Sequence, residues 1–277
     1  MLVVAAALHA GWNALVRRDP DPDTAAMAIA AGGAILAVFL LPFLPGMAWA
    51  AAPFTIASSF LQILYFVLVG RAYRAGELSI VYPVMRGLAP AIVTGLAALT
   101  IAEPATGGVV AGVGLVAIGM ATLGASAIGS GGEHVRASLV AAVLNAAVIA
   151  SYTLVDGIGA RLSGAPTTYT AWLGIGAGIG TLTWRLLRGG RIAIGTVSRR
   201  LPIGLVGAVM SFGAYAIALW AMTRAPIGAV ATVRESSVLF ATALGALVLH
   251  EKFGPWRWLA SALVVAGLAL VKLGGTA

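Results

Sequence analysis

Arg86 lies within YPVMRGLAP and Arg234 within VATVRESSV, each inside an otherwise apolar stretch. A guanidinium carries a fixed charge and a planar fork of donors that matches a carboxylate or phosphate. In hydrocarbon a charge is costly, so such a residue faces a bundle interior or a water-filled cavity and has a partner. Glu235 follows Arg234 directly, and Asp156 is a further acid inside apolar sequence. Either could compensate an arginine. Two roles fit. One is a central cavity in which Arg86 and Arg234 meet an anionic or carboxylate-bearing solute. The other is an Arg–Glu pair that locks two helices together. They are compatible, because a solute can compete for the lock.

The next candidates are polar or aromatic. His9 and Asn13 are four residues apart and share a helix face. Asn145 and Tyr152 fall in one span, with Asp156 one turn beyond Tyr152. Tyr65, Tyr82 and Tyr215 allow an aromatic lining, as do Trp12, Tyr73 and Trp220. Trp256 and Trp258 suit the membrane interface. His9, Asp156 and Glu235 are the candidate proton carriers, so a proton is one expected coupling partner. Pro83 and Pro90 remove backbone donors, which bends a helix or offers carbonyls to a ligand. Glu103 and Glu251 end their spans, where a carboxylate favours the start of the next helix. The run Asp19-Pro20-Asp21-Pro22-Asp23 is too extended for a calcium loop. There is no cysteine, which excludes thiolate chemistry and disulfides. No phosphate-cradling loop, paired-histidine metal motif or serine elbow stands in a credible setting. No cofactor or metal is expected.

The elements that position these residues follow from composition. Hydrophobic residues make up 60% of the 277 and charged residues only 9%. A soluble domain carries roughly a quarter charged residues, so this chain cannot cover a wet surface. The expected class is an all-α polytopic membrane protein. The net charge of +8 is concentrated between apolar segments, where it meets water and anionic lipid rather than nucleic acid. The chain begins apolar without the basic stretch of a secretory signal. Ten spans of roughly membrane length are expected at about 2–17, 25–43, 54–71, 77–100, 105–126, 137–156, 167–187, 202–223, 227–249 and 255–273. The 36 glycines, including GIGAGIG at 174–180, permit close helix packing.

The stretch Arg86–Glu103 matches Arg234–Glu251 at an offset of 148, and Gly119 falls opposite Gly267. The chain therefore divides into a five-span unit at 1–126, a linker at 127–136 and a second five-span unit at 137–277. An odd number of spans inverts the second unit, the arrangement of many secondary transporters. Odd-numbered loops hold twelve Lys and Arg against three elsewhere outside the spans, which places odd loops in the cytoplasm and both termini outside.

The sequences YRAGELSIVYPVMRGLAPAIVTGLAALTIAEP at 73–104 and TRAPIGAVATVRESSVLFATALGALVLHEKFG at 223–254 resemble the EamA-type permeases of the drug/metabolite transporter superfamily. The resemblance covers essentially the whole chain. It implies a central cavity lined by the spans holding Asn13, Tyr65, Arg86, Tyr152, Tyr215 and Arg234. It also implies ATP-independent movement of amino acids, nucleobases, sugars or other metabolites across a bacterial inner membrane, with export favoured. Such permeases are commonly drawn with cytoplasmic termini, opposite to the arginine count. The expected function is a secondary transporter for a small polar, amino-acid-like or anionic solute, working by alternating access as a monomer or homodimer. The alternatives are a flippase for lipid-linked substrates and an intramembrane enzyme.

Overall fold

In the computed structural model the described residues are 1–75, 78–103, 105–125, 133–187, 195, 197–237, 239–240 and 255–274. They form ten α-helices: α1 (Leu2–Arg18), α2 (Pro22–Leu40), α3 (Ala52–Ala75), α4 (Leu78–Ile101), α5 (Gly107–Ala125), α6 (Glu133–Ser163), α7 (Pro166–Leu187), α8 (Leu201–Met222), α9 (Ile227–Arg234) and α10 (Pro255–Gly274). Thr24–Phe43, Val140–Ser163 and Leu201–Met222 are long and apolar enough to cross a membrane. Leu2–Val16, Met85–Ile101, Gly107–Thr122 and Trp258–Gly274 are shorter apolar helices. Large apolar side chains such as Phe39, Phe60, Leu99, Val110 and Ile118 point outward. That is costly in water and favourable in lipid.

The helices depart from the expected spans at three places. The helix α6 begins at Glu133, inside the expected linker, and runs on to Ser163 rather than ending near 156. The ninth span, expected as one helix over 227–249, is interrupted. The helix α9 stops at Arg234, and Glu235 and Ser236 form a turn whose amides bond back to Thr232 and Val233 in three-residue steps. Most of the rest of that expected span lies outside the described residues. Glu103 Oε2 accepts the Ile227 amide at 2.6 Å, at the start of α9. Local geometry explains this. Ala102 adopts a left-handed conformation (φ 51°) and the Glu103 amide bonds to the Ala97 carbonyl. This helix closure turns the chain away from the axis of α4. Glu251 lies outside the described residues.

Two compact units form, and each draws helices from both halves of the sequence. The first comprises residues 1–63 and 155–224. Within it α2 packs on α7 and α8, and α1 on α8. Glycine makes these approaches possible. A Cβ at Gly204 would lie 2.6 Å from the Ala28 carbonyl oxygen, and one at Gly178 2.7 Å from that of Ala30. Pro22 opens α2, and Asp21 caps it by accepting the Thr24 amide at 3.2 Å. The acidic run is thus a helix-starting turn. Asp19 pairs with Arg200 at 2.9 Å. The hydrogen bond from Arg200 holds the Asp19 carboxyl below the usual carboxylate range.

The second unit comprises residues 64–154 and 225–277. Here α5 packs on α10, α4 on α5, and α9 on α4. The α5–α10 seam is backbone against backbone. A Cβ on Gly112 would meet the Gly267 carbonyl oxygen at 2.5 Å, and one on Gly119 the Ala260 carbonyl oxygen at 2.9 Å. Residue numbers fall along α10 as they rise along α5, so the two helices are antiparallel. The 148-residue offset exchanges these two contacts, since 112 maps to 260 and 119 to 267. The helices α4 and α9 are antiparallel too, with Thr94 against Gly228 and Arg86 against Glu235.

Candidate functional site

The second unit contains a cavity lined by Arg86, Ala89, Pro90 and Val93 of α4, Ile149 and Thr153 of α6, Ala231 and Arg234 of α9, and Glu235. Its volume is about 10 Å³, close to the room one water needs. The sequence explains how it is built. On α6, Asn145, Ile149 and Thr153 recur every four residues and so share a face. Ile149 and Ala142 pack against Met85 and Ala89 of α4. Pro90 cannot donate to the Arg86 carbonyl, which leaves the helix at that turn without one of its backbone bonds. The end of α9 places Glu235 in a turn beside it.

Arg86 Nη2 lies 3.0 Å from Glu235 Oε1. Both residues are buried, at 8% and 4% exposure. Among the described residues, the second carboxylate oxygen, Glu235 Oε2, is buried and has no hydrogen-bond partner. Ser237 Oγ and Asn145 Oδ1 are buried acceptors in the same condition. The Asn145 amide instead donates to Met85 Sδ at 2.9 Å, a weak acceptor. Buried polar atoms are ordinarily satisfied, so three bare oxygens on elements that pack at one cavity are unusual. Arg86, Arg234 and Glu235 sum to a charge of +1.

The structure thus brings together Arg86, Arg234 and Glu235, with Asn145 one turn from the cavity wall. Tyr65 and Tyr152 meet edge to face, with ring centres 6.1 Å apart, and pack on the same Met85–Ile149 cluster. The side chain of Tyr82 lies outside the described residues. The other candidates belong to the first unit. His9 Nδ1 accepts from Trp12 Nε1 at 3.3 Å, and the Asn13 amide donates to the His9 carbonyl at 2.7 Å. These bonds lie within α1. Asp156 is fully buried. Tyr169 donates to its Oδ1 at 3.0 Å, and Tyr215 donates to Oδ2. That network ties together α6, α7 and α8. Arg161, five residues along α6, donates through Nε to the Met222 carbonyl at 2.7 Å.

Sequence reasoning missed Thr153 and Tyr169. Thr153 was findable, because it continues the four-residue spacing from Asn145. Tyr169 carried a weaker signal, a lone phenol in the first turn of an apolar helix.

A buried ion pair on antiparallel helices of a multi-span apolar protein defines the class as a polytopic α-helical membrane protein with a polar interior. Residues 136–273 match the model of the EamA-like transporter family. The chain belongs to that family; it is a small-molecule transporter and not an enzyme. A solved crystal structure of a protein shares its fold, with a TM-score of 0.74 at 18% sequence identity and 98% of each chain covered. No curated protein sequence matches the chain.

Proposed function

We propose that the chain is a secondary transporter for a small solute bearing a carboxylate or comparable anionic group, and that Arg86 and Arg234 are its anchors. The observation that carries this reading is the Arg86–Glu235 pair at 3.0 Å in a cavity that Arg234 also lines. Three charged side chains sum to +1, and a site of net positive charge favours an anion. The cavity of about 10 Å³ is too small for a metabolite, so the solute displaces the ion pair and the surrounding helices give way. The ion pair then serves as the lock of the unloaded state. Tyr65, Tyr152 and Asn145 supply neighbouring aromatic and amide surface. Asn13, His9, Tyr82, Asp156 and Tyr215 are candidates for the solute's path.

The mechanism is alternating access between two inverted five-helix repeats, residues 1–126 and 137–277, in ten spans. Support comes from the antiparallel seams of α5 with α10 and of α4 with α9, and from the exchange of glycine contacts under the 148-residue offset. The setting is the bacterial inner membrane, with odd loops in the cytoplasm by arginine count.

The test is a solute screen with purified protein in liposomes, run with and without a pH gradient, alongside Arg86→Ala and Arg234→Ala. Loss of flux in both variants, with thermal unfolding still cooperative, is the expected result. Flux equal to wild type in both folded variants would overturn the assignment.

A further inference from the structure

Competition for Arg86 has a consequence for Glu235. When a solute's carboxylate takes the guanidinium, Glu235 loses its partner. A buried carboxylate stripped of its counter-charge is strongly unfavourable. Among the described residues Oε2 has no hydrogen-bond partner, and it lies in the wall of a cavity with room for one water. The residue is 4% exposed and held in the turn that ends α9. Among the described residues, the charged groups around it are Arg86 from α4 and Arg234 from α9 itself. The residues of α6 that face the cavity, Ile149 and Thr153, do not ionise. The same holds where α5 and α10 pack on α9, at Val109, Val113 and Val271.

We propose that Glu235 is a proton-binding site coupled to anion binding at Arg86, one proton entering with each monoanion. This rests on the reading of Arg86 as an anion anchor. The exchange balances. A proton arriving through the cavity adds to the Glu235 carboxylate and makes a neutral carboxyl. Arg86 stays a guanidinium and trades Glu235 Oε1 for an oxygen of the solute. The site carries +1 before and +1 after, so the protein gains a neutral pair. When the proton leaves, the Arg86–Glu235 bond re-forms and expels the anion. The same device makes Glu235 both the lock and the sensor of its release.

Two measurements test this, and the first needs no solute. Protein in liposomes is titrated by infrared difference spectroscopy over about pH 4 to about pH 9, the range of buried carboxyls. A protonated-carboxyl band that is absent in Glu235→Gln is expected. Its midpoint should move to higher pH in Arg86→Ala, by about 1–3 units, and stay nearer wild type in Arg86→Lys, which keeps the charge. No Glu235-dependent band, or a midpoint indifferent to Arg86→Ala, overturns the proton site. The second uses the solute that the liposome screen identifies. Wild-type flux should rise several-fold with a proton gradient in the solute's direction, and Glu235→Gln should move solute down its own gradient with no response to pH. Equal responses in the two proteins overturn the coupling even if Glu235 titrates. A screen that finds no solute counts against the anion site, while the infrared result still decides on the proton site.

Discussion

Replacing Gly112 with alanine should destabilise the protein although alanine is the better helix former. The added Cβ would lie 2.5 Å from the Gly267 carbonyl oxygen, 2.6 Å from Val271 Cγ2 and 2.8 Å from the Val271 amide nitrogen. Two of these are backbone atoms that cannot rotate away. Contact at an ordinary 3.4 Å requires α5 and α10 to part locally by about 0.9 Å. A gap of that size forfeits about a quarter to a half of each contact energy along the seam. Overpacking of this kind costs about 1–3 kcal/mol. Helix propensity returns at most about 1 kcal/mol, so the net loss should be up to about 2 kcal/mol. A Cβ at Gly114, on the same helix, would meet nothing within 4 Å, and Gly114→Ala should be neutral or stabilising by up to about 1 kcal/mol. Gly267→Ala meets the Gly112 carbonyl oxygen at 2.6 Å and should behave like Gly112→Ala. The double variant should cost less than the sum, because one opening of the seam relieves both clashes. Reversible denaturation in mixed micelles measures all four. If Gly112→Ala and Gly114→Ala unfold alike, the seam is not backbone-limited and the reasoning fails.

Removing one partner of the buried pair, by Arg86→Met or Glu235→Leu, should cost about 3–5 kcal/mol, while the double change should come closer to wild type; the same unfolding assay reads this, and a purely additive double variant would contradict it. Tyr169→Phe leaves Asp156 Oδ1 without the phenol donor and should cost about 1–3 kcal/mol, with Asp156→Asn partly suppressing that loss in a double-variant cycle. Asp19 is held below the ordinary carboxylate range chiefly by the hydrogen bond from Arg200. Its contribution is complete above the unfolded carboxyl's value and disappears as pH falls through the lower folded value. The thermal midpoints of wild type and Asp19→Asn should therefore converge in strong acid and in high salt, as a surface pair requires.

The membrane class, most helix positions and the arginine–glutamate cluster were legible in the sequence because they rest on strong local signals. Nineteen or so apolar residues have few alternatives to a helix in lipid, and a charge inside them demands a partner. Arg234 and Glu235 were readable for that reason. The break after Arg234 was not, because VRESS has no proline or glycine and its turn depends on where Glu235 meets α4. The reach of Glu103 to α9 was not legible, since a carboxylate at a helix end says nothing about which neighbouring N-terminus it will meet. Ala102 turns it toward α9, and a left-handed alanine leaves no mark in the sequence. Asp156 was legible as a buried acid but not its phenol partners, which arrive from α7 and α8 by tertiary packing. The interleaving of the two sequence halves into compact units was also hidden, because it is decided by which glycine faces meet.

The Arg86–Glu235 bond joins positions 149 residues apart in the chain, and that separation bears on biosynthesis. The ribosome delivers α4 to the membrane long before residue 235 has been translated. A lone arginine near the centre of an inserting helix costs about 2.5–3.5 kcal/mol, and α4 must bear this with its remaining apolar residues until the C-terminal segment arrives. Nascent chains cut short of Glu235 would hold Arg86 without this acid. Completion of the polar core is therefore a late event that waits on the last sixth of the 277 residues.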